Sequence, residues 1–144
     1  MIFNPPNIIN DLTTGGATNA LSAEQGKLLN AAVARISAYD EVAAVDDEFA
    51  IDFEGLPFKN VIMEIEDTDG KEVTVDNVPT ICELFIVLKV TEEVAVTWFD
   101  GIDWLTTGTA PVLEEGKIYR MAFFTMDGGT NWHGNCAGGW EDVN

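Results

Sequence analysis

From residue 46 onward, apolar residues recur at every second position, and this alternation limits the possible folds more than any other feature of the sequence. In the stretch EFAIDFE, Phe49, Ile51 and Phe53 occupy alternate positions. A period of two is typical of strands that have one buried face. Seven strands are predicted, at residues 48–54, 61–67, 71–78, 81–90, 94–99, 117–126 and 130–135. We therefore expect a mainly β domain at residues 41–144, with antiparallel strands arranged as a sandwich or a jelly-roll-like barrel.

Asp-Gly and Gly-Gly pairs separate these segments. Asp69-Gly70 stands between two of the predicted strands, which is a strong signal for a β-hairpin. The segment ICELFIVLKV is apolar on both faces, as expected for a central strand. Further turns are predicted at Asp100-Gly101, Glu115-Gly116 and Gly128-Gly129.

Residues 1–20 have the composition of an extended peptide followed by a flexible linker. Pro5-Pro6 is incompatible with a helix, and Gly15-Gly16 with the neighbouring threonines favours a loop. The segment has many apolar residues but cannot form a core of its own, so we expect it to dock on a partner or a neighbouring subunit. The alternative is that it folds back on its own domain. The predicted anchor residues are Ile2, Phe3, Pro5, Pro6, Ile8, Ile9 and Leu12.

Residues 21–40 are predicted to form one short amphipathic helix. Ser22 is a suitable N-cap, Gln25 completes a capping box, and Glu24 lies in the first turn. The apolar positions follow a 3-4-3 spacing, and the predicted seam comprises Leu28, Leu29, Ala32, Val33, Ile36 and Tyr39. A helix of this length is marginal in water on its own. The pattern leaves two packings open, one against the following domain and one in a short parallel bundle of identical chains.

The net charge of −18 arises almost entirely from the C-terminal part of the chain. Residues 1–39 have two acidic and two basic side chains, whereas residues 40–144 have 23 acidic and 5 basic ones. Such a surface repels phosphate backbones and anionic lipids, so nucleic acid and membranes are not expected partners. No apolar run approaches the roughly 20 residues that span a bilayer, and the N-terminus has no signal-peptide pattern. We expect the chain to stay in the cytosol where it is made.

The residue types that usually perform catalysis or bind metals form no recognisable pattern. His133 is the single histidine, and no nucleophile triad, P-loop or dinucleotide motif is present. Cys82 and Cys136 lack a zinc pattern and are expected to be small buried side chains, with a mutual disulfide as the alternative. Asp67 and Asp69 resemble the start of a calcium loop, but its later ligand positions would fall inside a strand. We expect no enzyme activity and no cofactor or metal site.

The four tryptophans leave one binding role open. Trp98, Trp104, Trp132 and Trp140 mostly lie near glycine turns. In an all-β domain most tryptophans pack in the core or between subunits. Aromatic rings near loops can also stack on sugars, so glycan binding is the alternative.

Two segments resemble known proteins. The stretch NDLTTGGATNALSAEQGKLLN, residues 10–30, resembles a linker and helix found in structural proteins of tailed bacteriophages, commonly just ahead of a trimeric fibre domain. The stretch WLTTGTAPVLEEGKIYRMAFFTMDGGTNWHG, residues 104–134, resembles the terminal β-segment of phage fibre and tail proteins. The shared features are Trp104, the turn at 108–111, Gly116-Lys117, and the D-G-G-T-x-W motif at 127–132. His133 departs from the pattern, because many relatives have tyrosine there.

The resemblance implies a homotrimer with an N-terminal anchor at residues 1–20, a short three-helix stem at 21–40 and a C-terminal β head. It favours the bundle of identical chains for the helix. We expect a virion protein made in the host cytoplasm, either a head fibre on a capsid or a tail-fibre component. In the second case the head would bind a bacterial surface receptor, with Trp104, Trp132 and His133 as the contact residues. A monomeric carbohydrate-binding or accessory module is a further alternative.

Overall fold

The computed structural model describes residues 8–9, 20–21, 27 and 39–142. The chain divides into two compact units, residues 1–38 and residues 39–144. In the first unit, strand β1 (Ile8–Ile9) pairs in parallel with strand β2 (Ala20–Leu21). The other predicted anchor and stem residues lie outside the described residues, namely Ile2, Phe3, Pro5, Pro6, Leu12, Leu28, Leu29, Ala32, Val33 and Ile36.

Most of the predicted helix at 21–40 lies outside the described residues, and the helix stays a prediction. Leu21 lies in β2, and Asp40 begins strand β3 (Asp40–Glu41). Asp40 pairs in parallel with Val61, and its carboxylate lies 2.6 Å from the ammonium of Lys59. These contacts with a neighbouring strand compete with helical hydrogen bonding at the end of the segment. Lys27 and Tyr39 are the only residues between 22 and 39 that the structure describes.

The second unit is mainly β, as the alternation predicts. After β3 its strands are β4 (Glu48–Asp52), β5 (Phe58–Ile65), β6 (Lys71–Asp76), β7 (Cys82–Val90), β8 (Val96–Thr97), β9 (Ile102–Trp104), β10 (Lys117–Thr125) and β11 (Trp132–Asp142). They form a six-stranded sheet in the order β3-β5-β7-β10-β11-β9 and a three-stranded sheet in the order β4-β6-β8.

From β3 to β8 the chain alternates between the two sheets. Neighbouring strands of this part are parallel. Paired residues are 21 positions apart between β3 and β5 and 24 or 25 positions apart in the other pairs, as in Phe49 with Val73 and Val61 with Ile86. The connections at 53–57, 66–70, 77–81 and 91–95 each have five residues. Five residues reach about 17 Å, enough to cross the roughly 10 Å between packed sheets. Residues 40–97 are therefore wound as three turns, and we call this part the solenoid segment.

The predicted antiparallel arrangement is wrong for the solenoid segment, and so is the jelly-roll-like barrel. Among the strands that the structure describes, antiparallel pairing occurs between β7, β10 and β11, and one isolated antiparallel bridge joins Val45 and Glu48. The predicted hairpin at Asp69-Gly70 is also wrong, because this pair lies in the connection that takes the chain from one sheet to the other. A two-residue hairpin turn needs positive φ at its central residues. Gly70 does not have a positive φ, whereas Asp46 and Asp47 do.

The core lies between the two sheets. Phe49, Ile51 and Phe53 are buried, which confirms their predicted inward orientation. They belong to the same apolar cluster as the inward side chains of β5, β7 and β10 and as Trp132. Fully burying one such side chain contributes roughly 1.5–3 kcal/mol. The shared core holds the solenoid segment and the β10–β11 hairpin together.

Candidate functional site

The D-G-G-T-x-W motif forms the turn between β10 and β11. The Asp127 carboxylate accepts hydrogen bonds from the backbone N–H of Asn131 at 2.9 Å and from its side-chain amide at 2.7 Å. Thr125 donates to Asp127 at 3.0 Å and accepts from the Gly129 backbone N–H at 3.0 Å. The bonds from Asn131, the backbone one first, lower the pKa of Asp127. The polar groups of the motif therefore serve to close the turn.

Burial argues against a receptor contact through Trp104 or Trp132. Trp132 is fully buried, and its ring centroid lies 5.2 Å from that of Phe99 and 6.1 Å from that of Phe53. Trp104 is 8% exposed and makes an edge-to-face contact with Phe123 at 5.5 Å. Neither ring has a face available for stacking on a sugar.

The third predicted contact residue, His133, is accessible. Its side chain is 54% exposed, and its Nδ1 lies 3.9 Å from an oxygen of Asp103. The two residues are brought together because β9 and β11 pair in parallel with His133 opposite Asp103. The distance is too long for a hydrogen bond. The imidazole of His133 and the carboxylate of Asp103 therefore lie close together at the edge of the sheet without a hydrogen bond between them.

Trp98 is the tryptophan whose ring reaches a concave surface. It is partly buried and lines a cavity of about 600 Å³ together with Pro111 and Leu113. Glu93 contributes a carboxylate to the same cavity. The ring centroid of Trp98 lies 5.8 Å from that of Trp104, in an edge-to-face contact.

The side chain of Trp140 lies outside the described part of the chain.

An acidic cluster surrounds one buried lysine. Asp47, Asp67 and Asp69 place carboxylate oxygens within 4.8 Å of one another. The ammonium of Lys71 lies 2.6 Å from Asp47 and 2.5 Å from Asp67, and its side chain is almost fully buried. These two hydrogen bonds raise the pKa of Lys71, and the one to Asp67 lowers the pKa of that carboxyl. A cation of the chain itself thus offsets part of the negative charge of the cluster.

Sequence reasoning found Asp67 and Asp69 but missed Asp47 and Lys71. Asp47 precedes Lys71 by 24 positions, which is one turn of the solenoid segment. The sequence feature that could have indicated this ion pair is an isolated lysine at the start of an alternating strand in a very acidic chain. The partner of this lysine can be identified only when the parallel register of the strands is known.

The two cysteines are not joined by a disulfide. Cys82 is buried and Cys136 is partly buried, and both are free thiols. Burial, and then the nearby charge of Glu83, raises the pKa of Cys82 to about 11. Burial also raises the pKa of Cys136. Raised pKa values keep both thiols protonated and poorly nucleophilic at neutral pH. The interpretation of Cys82 as a small buried side chain is confirmed.

Comparison with known proteins gives one family match, and it lies in the first unit of the chain. Residues 8–38 match a family model described as phage tail fiber repeats. This match supports a phage fibre protein generally and is consistent with a virion component. It includes the whole linker and helix segment at residues 10–30 and does not extend to the β domain. No curated protein and no solved structure matches the chain.

Within the part of the chain that the structure describes, no helix has the length and apolar character needed to cross a membrane.

Proposed function

We propose that this chain is a homotrimeric head fibre that decorates the capsid of a tailed phage. Residues 1–20 contain the anchor and a flexible linker, residues 21–40 contain the three-helix stem, and residues 41–144 form the projecting head. The observation that supports this best is the match of residues 8–38 to phage tail fiber repeats, immediately ahead of a separate β unit. The fibre has a structural role and no enzymatic one.

The charge distribution agrees with this organisation. Residues 1–39 are neutral, whereas the head at 41–144 has 22 acidic and 5 basic residues. A neutral apolar peptide can bind a protein surface without long-range repulsion, and a strongly acidic head stays in solvent and resists non-specific association. The two ends of the chain are thus suited to attachment and to projection, respectively.

Assembly is tested first by light scattering of the purified full chain, which should give about three times the monomer mass of 15.7 kDa. Ile36→Asp places a charge in the predicted seam and should dissociate the trimer. Lys27→Asp is the matched control, because Lys27 is exposed and outside the seam. A stable monomer for the unmodified chain would exclude the proposal.

Attachment is tested by deleting residues 1–12. The shortened chain should still assemble and should be absent from purified particles. Normal incorporation of the shortened chain would exclude residues 1–12 as the anchor. Gold-labelled antibody on intact particles distinguishes label distributed over the capsid, as expected for a head fibre, from label at the tail.

The second candidate is a tail-fibre component whose head binds a bacterial surface glycan or protein. The description of the matching family as tail fiber repeats favours it, and so does the concave surface beside Trp98. A glycan array with the full chain tests this function. Binding that is lost in Trp98→Ala and retained in His133→Ala would support recognition at that cavity.

A further inference from the structure

The side chains of strands β5, β7 and β10 that point away from the core form one continuous surface, which we call the outer face. In β7 the burial alternates residue by residue, so that Glu83, Phe85, Val87 and Lys89 are the outward positions. The register places Asn60 and Ala122 beside Phe85. The six large apolar side chains of the outer face are Phe58, Ile62, Phe85, Val87, Ile118 and Phe124.

Three aromatic rings of the outer face surround a depression. Phe58, Phe85 and Phe124 line a cavity of about 260 Å³, and Phe58 is 45% exposed. Ala122 lies between them and is itself exposed. Isolated apolar residues are ordinary on a protein surface, but a contiguous apolar patch marks an interaction site. The outer face therefore requires an occupant.

The charges of the outer face indicate what kind of partner it accepts. Its acidic side chains are Glu64 and Glu83, and its basic ones are Lys89 and Arg120, so that its net charge is zero. Glu64 lies directly opposite Lys89 in the register. The rest of the domain is strongly acidic. A neutral face allows two acidic copies to approach with less repulsion than an acidic face would cause.

Tyr39 extends the apolar surface at the rim of the outer face. It directly precedes β3, and its ring centroid lies 6.2 Å from that of Phe85. The side chain is 45% exposed, so its ring adds to the apolar area that another copy can contact.

We propose that the outer face is the contact surface between heads, and that three copies turn it toward their common threefold axis. This inference rests on the proposed trimer and adds the face through which the heads meet. Three strands of eight residues present roughly 380 Å² of sheet. Three copies would together cover roughly 1,100 Å², close to the lower limit of a specific protein interface, so the heads add their contact to that of the proposed stem.

Photocrosslinking on the full chain tests the contact directly. Benzoylphenylalanine is introduced at Ala122, which lies on β10 in the outer face. As a control it is introduced at Ala110, an exposed residue in the loop that precedes β10. Illumination should produce dimer and trimer bands on a denaturing gel for the Ala122 variant and none for the Ala110 variant. Crosslinks only within one chain, or no crosslink at all at position 122, would overturn the inference.

A charge-insertion pair gives a second measurement on the same surface. Phe58→Glu places a carboxylate on the outer face, and Leu105→Glu makes the same kind of change at a residue that is 62% exposed elsewhere. We expect Phe58→Glu to raise the protein concentration at which half of the trimer dissociates by about tenfold or more, because the substitution buries an unpaired charge at the contact. Leu105→Glu should leave it unchanged. Equal effects of the two variants would overturn the inference.

Light scattering of the unmodified chain separates the two failures. A trimer that gives no crosslink at position 122 removes the outer face as the contact and leaves the proposed fibre intact. A monomer removes the proposed trimer and the contact together.

Discussion

At the scale of single residues, Lys71 connects successive turns of the solenoid segment. Its ammonium is nearly inaccessible, but the two carboxylates that bind it, Asp47 and Asp67, remain about half exposed. The carboxylates therefore keep part of their hydration, which reduces the cost of burying the lysine between them. The arrangement stabilises the corner at which β4 and β6 begin. It also fills the space between the carboxylates with an ammonium.

Replacing Asp67 with Asn should lower the melting temperature at pH 7 by about 5 °C, because Lys71 loses one of its two charged partners. The folded pKa of Asp67 lies below its ordinary value of 3.8. A lowered folded pKa contributes stability that is present above the unfolded pKa and is lost as pH falls through the folded one. The difference between the variant and the unmodified chain should therefore shrink below about pH 3.8. Thermal melts followed by circular dichroism between pH 7 and pH 2 measure it.

Asp69→Asn is the matched control. It removes the same charge two positions away, from a carboxylate that makes no hydrogen bond with Lys71 among those that the structure describes for this cluster. The control should change the melting temperature at pH 7 by less than half as much. Equal effects of the two variants would show that total charge, and not the Lys71 contact, determines stability here.

At the scale of elements, the β10–β11 hairpin depends on one irregular position in its register. Pairing shifts between Ile118 and Tyr119, where Gly138 on β11 takes a φ of 141°. A Cβ at this position would lie 2.6 Å from the Ile118 carbonyl oxygen and 2.7 Å from the Tyr119 Cα. Both neighbours are backbone atoms and cannot move independently. The shift lets β10 continue its pairing with β11 beyond the irregularity.

Gly138→Ala should reduce the free energy of unfolding by about 2–4 kcal/mol, since it combines an unfavourable φ with a backbone clash. Gly116→Ala is the control, because Gly116 also has a positive φ but has open space around its Cβ position. The control should cost about 1–2 kcal/mol. Urea denaturation with a common m-value provides the comparison. Equal losses for the two variants would mean that the clash is relieved by a shift of β10.

The elements also show where sequence reasoning stops. The inward positions of β4, β5, β7 and β10 follow from the alternation alone, because each strand has one buried face. The alternation does not indicate to which of the two sheets a strand belongs. A five-residue connection such as 66–70 is long enough for a loose hairpin or for a crossing to the opposite sheet, and Asp69-Gly70 is compatible with both. Contacts one turn away decide between them, such as Asn77 donating to Asp52 at 2.9 Å.

At the scale of the whole molecule, the solenoid segment is a repeat in space without a repeat in sequence. Phe49 stacks beside Val73, and Met63 beside Leu88. These apolar pairs share character but not residue identity, and identical residues pair only at polar positions such as Glu48 with Glu72 and Asp52 with Asp76 in β4 and β6. The same limit applies to the candidate sites. The tryptophans could be found from the sequence, but which of them is buried depends on packing between two sheets.

The whole-molecule charge predicts how assembly responds to salt. Each head has 22 acidic and 5 basic residues, so three heads repel one another over distances of a few tens of ångströms at low ionic strength. The Debye length falls from roughly 30 Å at 0.01 M salt to about 10 Å at 0.1 M. If the heads meet through a neutral face, screening removes repulsion and breaks no attractive charge pair between copies. Raising the salt concentration from 0.01 to 0.2 M should therefore lower the protein concentration at which half of the trimer dissociates by about tenfold.

Sedimentation equilibrium over this salt range measures the effect on the full chain. The double variant Glu92→Gln and Glu93→Gln, on the exposed connection between β7 and β8, lowers the charge of each head by two without touching the outer face. It should assemble more tightly at 0.01 M salt and show a shallower dependence on salt, because less repulsion remains to be screened. A trimer that weakens as salt rises would contradict the argument, since that response requires attraction between opposite charges at the contact and hence a different face.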